Sequence, residues 1–71
     1  MSKHYFSFGM NHTHRYDNVT LDCDSVVEIE AEDGGIARAK MFDAFGKKWG
    51  FQYTEDDIEM KYFPRGVVLR L

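Results

Sequence analysis

Three features of the sequence predict a small α+β domain, with one main helix packed on one face of an antiparallel or mixed sheet of three to four strands. Val27, Ile29 and Ala31 alternate with Glu28 and Glu30, the pattern of a strand with one buried and one wet face. Ala37, Met41, Ala44 and Phe45 recur at the spacing of a single helix face. The chain has 71 residues, of which 44% are apolar. That is enough for one hydrophobic core and too little for a second domain.

Each element has a local reason. His4 to Phe8 is aromatic-rich and bounded by Gly9, which suits a half-buried strand with His4, Phe6 and Phe8 on one face. The polar stretch from Gly9 to Asp24 follows. It is long beside the ~4–6 residues usual for a connection, and Val19 to Leu21 reads as a short strand inside it. Val26 to Ala31 is the alternating strand. Asp33 can cap the following helix, expected close to residues 34 to 45, by accepting from the unpaired N–H groups of its first turn. Gly46 is placed for a left-handed cap, with Lys47 and Lys48 at the negative end of the helix dipole.

Trp49 to Tyr53 reads as a third strand with Trp49, Phe51 and Tyr53 on one face. Thr54-Glu55-Asp56-Asp57 resembles a capping box and points to a short second helix ending before Pro64. A strand through Ile58, Met60 and Tyr62 competes with it, and the acidic start favours the helix. Val67 to Leu71 closes the chain as a strand. The expected core is Phe6, Phe8, Val27, Ile29, Met41, Phe45, Phe51 and Leu69. Phe42 and Ile36 fall outside the helix stripe, leaving apolar surface for a partner, a homodimer or the C-terminal segment to cover.

Composition excludes several classes of function. Twelve acidic against nine basic residues leave a net charge of −3, unsuited to a protein that coats DNA by charge. No apolar run reaches the ~20 residues that cross a bilayer, and Met1 to Phe8 has no signal-peptide pattern. A lone cysteine, Cys23, cannot close an intrachain disulfide and fits a reducing cytoplasm. It reads as a small half-buried side chain rather than a nucleophile.

The candidate binding residues are His12, His14, Asp17 and Asp22, gathered in the long polar stretch. On an extended segment His12 and His14 project to the same side, where their nitrogens can share one metal ion. This is the alternative reading, a metal-assisted hydrolase or nuclease. The motif lacks a second ligand pair of recognised spacing, so the preferred reading is a polar surface loop without a cofactor. Trp49, Phe51 and Tyr53 with Lys47 and Lys48 would make a stacking platform for single-stranded nucleic acid. Filling the core is the simpler use of these rings, and nucleic acid is the less favoured partner.

The combination of Phe6-Ser7-Phe8-Gly9, His12-Thr13-His14, Glu30-Ala31-Glu32, Ala37-Arg38 with Met41-Phe42, and Phe45-Gly46-Lys47-Lys48-Trp49-Gly50-Phe51-Gln52-Tyr53 resembles small proteins encoded by tailed bacteriophages and prophages. The likeness covers roughly residues 5 to 54. The family has no established activity, so no catalytic residue is carried over. The resemblance implies an accessory protein acting in the cytoplasm of the infected bacterial host, off the membrane. The expected function is non-enzymatic: binding a host or phage protein, including a component of a bacterial defence system. A domain this short has little volume for a pocket of ~300–1,000 Å³, whereas a partner surface needs only ~800 Å² per side.

Overall fold

The computed structural model describes residues 1–9 and 13–71 and confirms a small α+β fold. In chain order the elements are β1 (Ser2–Ser7), β2 (His14–Tyr16), β3 (Val19–Leu21), β4 (Ser25–Ala31), α1 (Gly34–Phe45), β5 (Phe51–Thr54), a 3₁₀ turn (Met60–Tyr62) and β6 (Gly66–Arg70). Four strands form a mixed sheet in the order β5-β1-β4-β6, and β2 and β3 form a separate two-stranded antiparallel sheet. β1 is antiparallel to both neighbours, while β6 runs parallel to β4.

α1 begins and ends where its caps dictate. The Asp33 carboxylate accepts from the Ile36 N–H at 2.9 Å, satisfying one orphan donor of the first turn. At the other end the Gly46 N–H donates to the Phe42 carbonyl at 2.9 Å. Gly46 has φ 63° and ψ −132°, a positive-φ conformation in which a Cβ would be strained, though not the left-handed helical one expected. Ala37, Met41 and Phe45 are buried, so the helical stripe is the packed face. It covers Phe6, Val27, Ile29 and Ala31 of the main sheet, with Phe8 and Leu21 closing the same core.

The second face of the sheet is covered in part: Glu30 is exposed as expected, whereas Tyr5 is buried. β5 and β6 lie at opposite edges and run in the same direction, so residues 55–65 have to cross the sheet to join them. Phe63 meets Tyr53 at a ring distance of 6.2 Å. Tyr53 pairs with Tyr5 in the ladder, so the crossing lies opposite the helix. Tyr5 is therefore buried, and its hydroxyl donates to Glu28 at 3.0 Å. Burial, with the hydrogen bond to Glu28 second, raises the Tyr5 pKa above its ordinary value. The other Glu28 oxygen accepts from Arg70 at 2.9 Å. Glu28, expected on a solvated face, instead ties β1, β4 and β6 together.

The same crossing displaces the expected second helix. One turn forms at residues 55–57, where the Thr54 hydroxyl donates to Asp57 at 2.9 Å. The chain then extends and makes only the 3₁₀ turn. At ~3.3 Å per residue against ~1.5 Å for a helix, the extended chain lays these residues over more of the sheet face.

Trp49, Phe51 and Tyr53 do not share a face. The Gly50 N–H donates to Ser7 O at 2.7 Å, and a Cβ there would stand 3.2 Å from Phe8 and Gly9 backbone atoms. This close approach breaks the alternation before β5 starts. Trp49 packs edge-on against Phe6 at 5.2 Å, on the helix side, and is half-buried. Phe51, expected in the core, is 63% exposed on the opposite face at the sheet edge. Cys23 is exposed rather than half-buried. Leu69 is half-buried and packs against the core.

Phe45→Ala should cost ~3–5 kcal/mol, since it empties a site lined by several rings. Thermal unfolding checks this, and an unchanged Tm would show that the helix packs by another face.

Candidate functional site

The long polar stretch contains a hairpin. Tyr16 pairs with Val19, leaving a two-residue loop of Asp17 and Asn18 with φ 50° and 65°. Two successive positive φ values are those of a type I′ turn, the one whose twist matches a hairpin. Aspartate and asparagine tolerate them better than other residues with a Cβ. Asp17 is thus a turn residue at the exposed tip.

The hairpin is amphipathic across its width. His14, Tyr16, Val19 and Leu21 face the domain, while Arg15 and Thr20, paired in the ladder, are exposed. The inward side is tied down in several places. His14 Nε2 donates to the Lys48 carbonyl at 2.6 Å. The imidazole sits 5.6 Å from the Phe8 ring and 5.5 Å from Phe45, and Tyr16 lies 5.3 Å from Phe45. From the opposite end of the chain, Arg65 donates to Thr20 O at 2.6 Å and to the Asp22 carboxylate at 3.3 Å.

Asp22 also organises the turn into β4. Its other carboxylate oxygen accepts from the Asp24 N–H at 3.0 Å, and its backbone N–H donates to the buried Ser25 hydroxyl at 2.7 Å. His14 and Asp22 are therefore both built into the fold, and Asp17 is the one of these three left on the outer surface. His12 lies outside the described residues. Among the described residues, no three His, Cys, Asp or Glu side chains gather as metal ligands. Partial desolvation and the carboxylates of Asp24 and Asp22 push the Cys23 thiol up, which disfavours the thiolate a nucleophile needs.

An open cleft of about 280 Å³ adjoins the hairpin, lined by Tyr16, Lys40, Asp43, Ala44 and Leu71. One apolar wall and one charge of each sign on α1 suit a side chain better than a whole metabolite. This cleft was not legible in the sequence, because it depends on where the C-terminal residue meets α1. The hairpin itself had a local signal: Asp-Asn between two alternating apolar pairs.

No protein-family model matches the chain, and no curated protein or solved structure is significantly similar to it. No helix among the described residues is long and apolar enough to cross a membrane.

His14→Ala removes a hydrogen bond and a packed ring, and should destabilise the protein by ~1–2 kcal/mol, or roughly 5–15 °C in Tm. Arg15→Ala should change stability by less than ~0.5 kcal/mol. Thermal melts of the two variants check the assignment of inner and outer faces, and equal losses would contradict it.

Proposed function

We propose that this chain is a non-enzymatic protein-binding module, and that the outer face of the β2–β3 hairpin with the cleft beside Tyr16 is its recognition surface. The observation that carries this reading is the hairpin's construction. It stands outside the main sheet, yet both of its strands are tied to distant parts of the chain. A hairpin fixed in this way loses little conformational freedom when a partner docks, so more of the contact energy becomes affinity. Arg15, Asp17, Asn18 and Thr20 then form a small, preorganised polar surface, with the cleft to receive one partner side chain.

The resemblance to phage and prophage proteins supports a host or phage protein as the partner, met in the cytoplasm of the infected cell. The hydrogen bond from His14 to Lys48 gives that histidine a structural use and removes the need for a metal to explain it.

The test is affinity capture from infected-cell lysate with the wild-type chain and with an Arg15→Glu, Thr20→Glu variant. Both positions are exposed, so the variant should melt within a few degrees of wild type. The expected result is a stoichiometric protein partner whose binding weakens at least ~tenfold in the variant, a loss of ~1.4 kcal/mol. Equal capture by both proteins would contradict the hairpin surface, and recovery of nucleic acid alone would contradict the partner class.

A further inference from the structure

The two edges of the main sheet differ. Beside β6, at one edge, Arg65 reaches the hairpin at Thr20 and Asp22. β5, at the other edge, reads Phe51-Gln52-Tyr53-Thr54, with none of the charges, prolines or bulges that usually guard an edge strand. Phe51 is 63% exposed on one side of it. On the helix side Phe42 is 44% exposed and meets Trp49 at 5.5 Å. Half of the backbone N–H and C=O groups of such a strand point away from its single neighbour, because ladder bonds alternate in direction.

Charge is distributed unevenly about this edge. Lys47 and Lys48 precede it, and Glu55, Asp56 and Asp57 follow it; all five are exposed. We infer that β5 pairs antiparallel with β5 of a second copy of this chain, about a two-fold axis through Gln52, joining two four-stranded sheets into one.

The register follows from symmetry. Antiparallel partners must point to the same face of a continuous sheet, so the axis passes through a residue rather than between two. With Gln52 on the axis, Phe51 faces Tyr53 of the second copy, and the same pair recurs on the other side. Aromatic pairs opposite one another stabilise a ladder. The axis also brings the lysine end of each strand to the acidic end of its mate, twice. Moving the axis to Tyr53 would instead set Phe51 against a glutamate. Gln52 needs nothing from the second copy: its amide already donates to the Gly34 carbonyl at 2.9 Å and accepts from Arg38 at 3.0 Å. So short a strand makes a small interface, and the association is of the weak, concentration-dependent kind. This inference does not depend on the hairpin surface: it rests on β5 and the charges that flank it.

Sedimentation of the full chain between about 10 and 500 μM tests it. The mass should rise from 8.3 kDa toward twice that value. Lys47→Glu with Lys48→Glu should weaken the dimer at least ~tenfold, and so should Glu55→Lys with Asp56→Lys, because each puts like charges together. Mixing the two variants should restore association as a heterodimer. Phe51→Lys, at an exposed position, should also weaken it. A chain that stays monomeric throughout overturns the inference. So does a dimer indifferent to both charge exchanges, or one that the mixture fails to restore.

Discussion

The Phe45 ring lies against Phe8, just past the end of β1, and against His14 and Tyr16 of the hairpin, at centroid distances of 5.2, 5.5 and 5.3 Å. It is the last residue of α1, so helix, main sheet and hairpin share one contact. Rings at these separations attract beyond their area burial, and the His14 ring among them also holds the Lys48 carbonyl. Without that junction, the hairpin would depend on its tie to Arg65 and on the buried Leu21, and two strands in isolation are marginally stable in water.

The second organising constraint is topological. Placing β5 and β6 at opposite edges forces residues 55–65 across the sheet, which buries Tyr5 and gives Glu28 its two partners. A small domain thereby covers one face of its sheet with a helix and part of the other with extended chain. The crossing does not extend over Phe51, which is why a large ring remains in solvent at that edge.

Elements whose cause is local were legible in the sequence. α1 occupies the stretch that Asp33, the apolar stripe and Gly46 mark out, and β4 lies where the alternation is cleanest. Features that depend on distant chain were not. Glu28 looks solvent-facing until Arg70 and the crossing segment are placed over it. The acidic start after Thr54 does begin a turn, but the chain then crosses the sheet extended, with only the 3₁₀ turn on its way. Trp49, Phe51 and Tyr53 alternate on paper, and the close approach of Gly50 to Ser7 and Phe8 breaks that alternation. In the candidate site, the polar stretch was visible as unusual, and Val19 to Leu21 as a strand within it. That His14 turns inward was not, because its partners come from two other places in the chain, Phe8 after β1 and Phe45 with Lys48 at the end of α1.

The functional reading rests on the hairpin being an ordered part of the molecule rather than a loose loop that happens to fold back. Amide hydrogen exchange of β2 and β3, compared with β1 and β4, tests this most directly, because local opening exposes amides without requiring the whole domain to unfold. Protection of the paired hairpin amides close to that of the main sheet is the expected result. Exchange of β2 and β3 at rates near those of unstructured chain, with β1 and β4 still protected, would contradict the account.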